Sequence, residues 1–178
     1  MTGAARSIVL IGMMGAGKSS VGRCLQRRTG LARFDTDDIV SSNLGLSIPE
    51  IFARHGENRF RDEETAALRA LAGGKKAIVV SGGGIVLRKE NAGLLKQLGV
   101  VVWLEANDET LFERASRRGK RPLLQTENPR KTLSEISRAR APLYAKVADI
   151  RVDTTRSTHD EVADLILEQI VDQNAKRT

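Results

Sequence analysis

The stretch Gly12-Met13-Met14-Gly15-Ala16-Gly17-Lys18-Ser19 decides the architecture of this 178-residue chain. The apolar run over residues 7–11 in front of it predicts a short buried strand, and the apolar spacing from Val21 onward predicts a helix behind it. A glycine-rich loop between a strand and a helix is the context in which Gly-x-x-x-x-Gly-Lys-Ser indicates a P-loop rather than a chance match. We therefore expect a phosphate-binding loop at the end of the first strand.

Each residue type in this loop has a physical task in binding phosphate. Glycines let backbone N–H groups turn toward phosphate oxygens, and the start of the following helix adds unpaired donors and a partial positive charge. Lys18 supplies a full charge for the outer phosphates, and the Ser19 hydroxyl is able to ligate Mg²⁺. The chain is thus predicted to bind a nucleoside triphosphate. The residues expected around its phosphates are Gly15, Ala16, Gly17, Lys18, Ser19 and Ser20.

The composition is that of an ordinary globular protein, with 40% hydrophobic and 29% charged residues, and the length suits one domain with a sizeable core. The first six residues lack a signal-peptide pattern, and no segment approaches the length of a membrane span. The single cysteine, Cys24, has no partner for an internal disulfide. We expect a cytoplasmic monomer that binds no membrane.

The net charge of +7 and the pI of about 10.0 favour anionic partners, which are either nucleic acids or small molecules, unless the basic surface is generic. Aromatic residues make up only 3% of the chain, so few rings are available to stack on bases, and no nucleic-acid-binding module is recognisable. We therefore expect no nucleic acid among its partners.

Extended and helical stretches alternate after the P-loop, a pattern typical of an α/β protein with a mostly parallel sheet. The extended stretches are 32–35, 77–80, 100–104 and 149–152. Residues 38–73 carry no strand signal, and a capping box at Ser47 with a break at Gly56 predicts two helices there. By analogy with other proteins built on such a core, we expect 38–73 to form a substrate-side segment. The polar, basic stretch 116–128 predicts a loop.

Two aspartates, Asp35 and Asp37, follow the second predicted strand. On an extended backbone they point the same way, and at the carboxyl end of a strand they would face the crevice where α/β folds bind ligands. One acid can hold Mg²⁺ through water while the other takes a proton from an attacking hydroxyl. The alternative is a solvated acidic turn in which Asp38 caps a helix.

Glycines and arginines form the remaining candidate sets. The triple glycine Gly82-Gly83-Gly84 ends a strand, where it permits either close backbone approach to a ligand or a flexible turn. Arg61 and Arg140 are isolated in predicted helices, and a pair of arginines is a good carboxylate clamp, although a surface salt bridge is the alternative for each. The basic residues around the 116–128 loop would let it fold over a triphosphate as a lid, with one guanidinium on the moving phosphoryl group. They are Arg114, Arg117, Arg118, Lys120 and Arg121.

The chain carries no Asn-Lys-x-Asp signal of the GTPases and is small for a motor ATPase. A small-molecule or nucleotide kinase remains. Its stretches are similar to those of the shikimate kinases, in the family's order and spacing from about residue 7 to 170. The shared motifs are the P-loop, Asp35-Thr36-Asp37, residues 56–64, Gly82-Gly83-Gly84, Arg121-Pro122-Leu123-Leu124 and residues 140–144. The P-loop alone is common, whereas its combination with Phe60-Arg61 and the later motifs is specific.

The resemblance implies a fold similar to that of the nucleoside monophosphate kinases. That fold has three layers, with helices on both faces of a five-stranded parallel sheet in the order 2-3-1-4-5. The resemblance further implies a single kinase domain over 1–178, in which ATP with Mg²⁺ phosphorylates the 3-hydroxyl of shikimate in aromatic amino-acid biosynthesis.

The resemblance also implies roles for individual residues. Asp37 would hold the shikimate hydroxyls and act as the base, Arg61 and Arg140 would grip the carboxylate, and Gly82-Gly83-Gly84 would approach the ring. Lys18 would bind the β- and γ-phosphates, Ser19 would ligate Mg²⁺, and Asp35 would act on the ion from one shell further out. Arg121 would be the lid arginine, so that Asp37, Lys18 and Arg121 form the catalytic set, and Arg114 would stack on adenine.

Some members of the family place a proline against adenine, where this chain has Arg156-Ser157-Thr158-His159. Three other functions compete with the implied one. Another small-molecule P-loop kinase, such as a gluconate kinase, would share the P-loop and basic lid but would not need Phe60-Arg61 with Arg140. A catalytically dead regulatory module is disfavoured because Lys18, Asp37 and Arg121 are intact, and nucleic-acid binding is disfavoured by composition.

Overall fold

The computed structural model describes residues 6–117 and 125–175 of the chain. Its five strands are β1 (Ser7–Ile11), β2 (Ala32–Asp35), β3 (Ala77–Val80), β4 (Gly99–Glu105) and β5 (Ile150–Asp153). They form one sheet in the order β2-β3-β1-β4-β5, and every neighbouring pair is parallel. The α/β class and the implied strand order are both confirmed.

Helices connect the parallel strands. They are α1 (Lys18–Thr29), α2 (Thr36–Leu44), α3 (Ile48–Ala72), α4 (Lys89–Leu98), α5 (Asp108–Ser116), α6 (Pro129–Val147) and α7 (His159–Ala175), with a short 3₁₀ turn at Ile85–Leu87. Every residue of β1 and β3 is buried, and successive side chains of a strand point to opposite faces, so helices must cover both faces of the sheet. In β2 and β5, at the two edges of the sheet, more exposed residues alternate with less exposed ones.

The segment between β2 and β3 differs in one respect from the prediction. Helix α2 was expected only in the alternative that gave Asp38 as its cap, and its N-cap is Asp35, whose Oδ1 accepts the N–H of Asp37 at 3.1 Å. The expectation that Asp38 would be the cap is wrong, because the strand turns directly into the helix three residues earlier. The capping box of Ser47 with Glu50 is confirmed.

Gly56 breaks α3 as predicted, with φ 77° and ψ 173°, so that α3 consists of two helices that meet at a kink. Ile51 before the kink and Phe60 after it pack with Val40 of α2 in a small apolar cluster, separate from the main core. This arrangement places the start of α3 as a wall opposite the carboxyl ends of the strands.

Helix α5 ends at Ser116 and α6 begins at Pro129. The middle of the expected lid, residues 118–124, lies outside the described residues, and so does Arg121. No helix within 6–117 or 125–175 is both long and apolar enough to cross a membrane.

Candidate active site

The P-loop, the aspartate pair and the triple glycine meet at the carboxyl ends of the strands. The P-loop follows β1, Asp35 and Asp37 stand at the end of β2, and the triple glycine follows β3. These strands are neighbours in the order β2-β3-β1, and the carboxyl ends of parallel strands lie on the same side of a sheet. The topology therefore joins residues as far apart in sequence as Gly12 and Gly84.

The P-loop glycines occupy positions that other residues would not tolerate. Gly12, Gly15 and Gly17 have φ values of 137°, 82° and 92°, which favour glycine. A Cβ on Gly12 would lie 2.1 Å from the carbonyl oxygen of Leu104, and one on Gly15 would lie 2.3 Å from that of Leu111. The loop is thus closely backed by β4 and α5.

The P-loop residues line a small cavity of about 80 Å³, here called the phosphate cavity. Lys18, only 9% exposed, donates from Nζ to the carbonyl oxygens of Gly12 at 2.7 Å and Met13 at 2.9 Å. Its ammonium group is therefore held over the loop. The lining brings together Met14, Gly15, Gly17, Lys18, Ser19, Asp35, Asp37, Val80, Ser81, Gly82 and Gly83.

Asp35 faces this cavity while it caps α2. Burial, and after it the charge of Asp37, raises the pKa of Asp35 to about 6. A nearby cation stabilises the ionised form of such a group, so the carboxylate is suited to a position beside bound metal.

A larger cavity of about 340 Å³ adjoins the first, and we call it the acceptor cavity. Its lining combines apolar, cationic and anionic groups: Met14, Asp37, Ile48, Phe52, Glu57, Phe60, Arg61, Glu64, Gly82, Gly83, Gly84 and Arg140. Met14, Asp37, Gly82 and Gly83 line both cavities. Asp37 is the carboxylate that the two linings share, so it stands where a phosphoryl group would pass from one cavity to the other.

Arg61 and Arg140 meet in the wall of the acceptor cavity, although they come from α3 and α6. Their residues are 7% and 8% exposed, so both guanidinium groups are buried in the wall and do not lie on the surface. Arg61 does form ion pairs, from Nη1 to Glu64 at 2.6 Å and from Nη2 to Glu57 at 2.9 Å, and these hold its guanidinium inside the wall. The structure thus brings together the pair that the sequence suggested as a carboxylate clamp.

Glu64 is a site residue to which sequence reasoning assigned no role. It is fully buried, and its Oε1 has no hydrogen-bond partner among the described residues. Burial raises the pKa of Glu64 to about 7, against the opposing charge of Arg61. The spacing of three between Arg61 and Glu64 on a helix was the signal that could have revealed this pair.

Each glycine of the triple glycine makes room for another part of the site. A Cβ on Gly82 would lie 2.7 Å from Oδ1 of Asp37, and one on Gly84 would lie 2.3 Å from Nη1 of Arg61. A Cβ on Gly83 would lie 3.5 Å from both the Gly12 carbonyl oxygen and the Met14 nitrogen. The turn is therefore a close-packed junction between both cavities, and not a flexible connection.

Two hydroxyl groups hold this turn from opposite sides, and sequence reasoning missed both. Gly82 donates its N–H to Oγ1 of the fully buried Thr36 at 3.1 Å, and Tyr144 donates its hydroxyl to the Gly83 carbonyl oxygen. Tyr144 lies four residues after Arg140 on α6, which places both on one face of that helix.

On the far side of the P-loop, Arg114 donates to the side chain and the carbonyl oxygen of Thr154, at 3.1 and 2.8 Å. The Thr154 hydroxyl lies between two acceptors, the carbonyl oxygens of Glu105 at 3.0 Å and Ala16 at 3.2 Å, so Arg114 contacts the P-loop through one residue. Beside it runs a surface groove of about 680 Å³. The groove is lined by Glu105, Ala106, Asn107, Asp153, Thr155, Arg156 and Ser157.

Ser20, the last of the expected phosphate contacts, accepts a hydrogen bond from Arg23 at 3.1 Å.

A P-loop that shares a wall with an acceptor cavity, together with this strand order, defines the class of small-molecule P-loop kinases. The family model described as Shikimate kinase matches residues 14–171. A shikimate kinase of Thermodesulfovibrio yellowstonii is 42% identical over 164 residues, which cover 92% of this chain and 94% of the relative. The chain belongs to the shikimate kinase family, whose members are ATP-dependent phosphotransferases.

Solved structures agree with this assignment. The structure titled shikimate kinase from Acinetobacter baumannii in complex with shikimate has a TM-score of 0.91 and 37% identity, covering 96% of this chain and 95% of that one. A gluconokinase from Sinorhizobium meliloti 1021 is 18% identical with a TM-score of 0.59, covering 96% of this chain and 94% of its own. That likeness shows a shared fold and nothing further.

Proposed function

We propose that this chain transfers the γ-phosphate of ATP to the 3-hydroxyl of shikimate, giving shikimate 3-phosphate and ADP. One observation carries the proposal beyond family membership: Asp37 lines both the phosphate cavity and the acceptor cavity. A carboxylate at that junction is within reach of an acceptor hydroxyl on one side and faces the phosphates on the other. The structure of the A. baumannii relative is titled as a complex with shikimate, and we propose that shikimate is also the acceptor of this chain.

The acceptor cavity has the chemistry that shikimate requires. Two buried guanidinium groups, Arg61 and Arg140, suit a carboxylate, because each is able to bind both of its oxygens. Phe52 and Phe60, whose rings lie 4.9 Å apart, supply an apolar wall for the carbon ring. Asp37 and the Gly82-Gly83-Gly84 turn are left to bind the hydroxyls.

In the reaction Asp37 accepts the proton of the 3-hydroxyl while the oxygen attacks the γ-phosphate. The P-loop N–H groups and Lys18 hold the β- and γ-phosphates, and Lys18 offsets the charge that develops as the bond breaks. We assign Arg121 as the lid arginine that completes the catalytic set on the phosphoryl group. We assign Arg114 to the adenine side, because it is tied to the P-loop through Thr154.

The donor set of the phosphate cavity fits Mg²⁺. Kinases hold this ion by one or two protein oxygens together with waters and substrate phosphates, and Ser19 and Asp35 line the same cavity. Among the described residues no group of three or more His, Cys, Asp or Glu side chains could hold a metal alone. We propose Ser19 as the direct ligand and Asp35 as a partner through water. The bound ion would neutralise phosphate charge.

We further propose one kinase domain that acts as a monomer. Residues 38–73 would be its acceptor-side segment and 116–128 its lid. The support is that the described site residues belong to one sheet, to the turns that follow its strands, or to helices of the same chain around those turns.

An ADP-release assay with shikimate, gluconate and nucleosides as acceptors tests the proposal, and we expect turnover with shikimate. Arg140→Ala should then raise the shikimate KM about tenfold to 150-fold, since one charge-assisted contact contributes roughly 1.5–3 kcal/mol. The matched control is Arg138→Ala, because Arg138 is an exposed arginine of the same helix. Methyl shikimate, which has no negative charge, should lose little further affinity in Arg140→Ala. Turnover with gluconate alone would refute the acceptor assignment.

A further inference from the structure

Tyr144 connects two parts of the acceptor cavity that the proposed function uses separately. It lies on α6, one turn after Arg140, and is 1% exposed. Its hydroxyl donates to the Gly83 carbonyl oxygen and lies 3.6 Å from the Met13 sulfur. Its ring packs on Trp103, with 5.8 Å between the ring centroids. The phenol therefore touches the glycine turn and the P-loop from the side of the helix that carries half of the clamp.

The hydroxyl remains a hydrogen-bond donor throughout the neutral pH range. Burial raises the pKa of Tyr144 to about 12, although the positive charge of Arg140 acts in the opposite direction. The charged groups that face the phenol are Arg140 on α6 and Arg61 and Glu64 on α3.

The Gly83 carbonyl belongs to the same peptide plane as the Gly84 N–H. The described residues contain no cis peptide bond, and in a trans peptide these two groups point in opposite directions. With the carbonyl held by Tyr144, the Gly84 N–H must point away from α6. Because no Cβ restricts the dihedral angles on either side of this peptide, the two glycines by themselves permit more than one orientation of it. An external hydrogen bond is therefore what selects one orientation.

We propose that Tyr144 is a positioning residue, which orients the Gly83–Gly84 peptide and ties it to the helix of Arg140. The hydroxyl-binding turn and the carboxylate clamp are then set in one arrangement. The inference rests on the proposed function, because it concerns how the acceptor is held. Removing the hydroxyl should weaken acceptor binding and leave the P-loop contacts with ATP unchanged.

The variant Tyr144→Phe keeps the ring against Trp103 and removes only the donor. We expect its shikimate KM to rise about three- to tenfold, the effect of one neutral hydrogen bond, with the ATP KM within about twofold of wild type. Shikimate titrated against the fluorescence of Trp103, the chain's single tryptophan, gives the same loss as a dissociation constant without turnover. Thr29→Val is the matched control, since it removes a hydroxyl that donates to the Leu25 carbonyl oxygen on α1.

A second measurement does not depend on the folding of that variant. Tyr144 is the only tyrosine of the chain, so biosynthetic replacement by 3-fluorotyrosine labels this residue alone. The fluorinated phenol still donates, so we expect a shikimate KM near wild type at neutral pH. Because that phenol is more acidic, the KM should rise at alkaline pH values that leave the unlabelled enzyme unaffected.

Either of two results with Tyr144→Phe would overturn the inference while the proposed function stands. One is a wild-type enzyme active on shikimate whose KM is unchanged in Tyr144→Phe, and the other is an equal rise of the KM values for shikimate and ATP. A labelled enzyme with the pH profile of the unlabelled one would also overturn it. A wild-type enzyme that releases no ADP with shikimate would instead refute the proposed function, and the inference with it.

Discussion

Replacing Gly84 by alanine tests the geometry of the acceptor cavity with a single methyl group. The backbone of Gly84 has φ −96° and ψ 5°, which alanine adopts without strain. The new Cβ would lie 2.3 Å from Nη1 of Arg61 and 2.5 Å from its Cζ and Nη2. Carbon atoms in contact sit about 3.5–4.0 Å apart, so the guanidinium must retreat by roughly 1 Å.

The displaced group is the end of a long side chain, so the fold should tolerate the change. Acceptor binding should be weakened, because Arg61 would leave the position from which it faces both Glu64 and the acceptor carboxylate. Losing one charge-assisted contact costs about 1.5–3 kcal/mol, which corresponds to a rise of roughly tenfold to 150-fold in the shikimate KM. The ATP KM should change little, since Arg61 does not line the phosphate cavity.

Gly93→Ala is the matched control. Gly93 lies within α4, and a Cβ there would meet nothing within 4 Å. That variant should be about 0.5–1 kcal/mol more stable than wild type and kinetically unchanged. Steady-state kinetics with each substrate varied in turn, together with thermal melts, measure both effects. If Gly84→Ala folds normally and keeps a wild-type shikimate KM, Arg61 does not grip the acceptor as argued.

Three further perturbations address the other groups of the site. Lys18→Ala should abolish ADP release while circular dichroism shows a folded protein, and a near-wild-type rate would mean that the P-loop is not the catalytic nucleotide site. Asp37→Asn should lower kcat by about 10²–10⁴, the usual contribution of a general base, and an unchanged kcat would assign the proton transfer elsewhere. The pKa of Glu64 is about 7 in the folded protein against an ordinary 4.5. Between these two pH values Glu64 is therefore more protonated in the folded state than in the unfolded state. Its contribution to stability therefore falls as pH rises from about 4.5 to about 7, and Glu64→Gln should remove that part of the pH dependence of Tm. Parallel Tm curves for variant and wild type between pH 4.5 and 8 would contradict this.

Local signals predicted much of the site because they act over a few residues. The P-loop glycines, with φ values of 82° and 92° at Gly15 and Gly17, occupy conformations that the residue type itself selects. The Ser47 capping box and the break at Gly56 are local in the same sense, and both are confirmed. The cap of helix α2 was placed three residues late, at Asp38, because its start depends on the turn at Asp35, where a strand passes into a helix without a loop.

The sequence by itself determined the phosphate-binding loop, the alternation of strands and helices, and the residue types needed to bind an acidic, hydroxylated acceptor. Only the tertiary structure decided that these residues meet. Arg61 and Arg140 are far apart in the chain, and they face one cavity because α3 and α6 both pack beside the triple glycine. Thr36 and Tyr144 reach that turn from 46 and 61 positions away. Hydrogen bonds over such separations depend on the packing of several elements at once, and no local pattern encodes that packing.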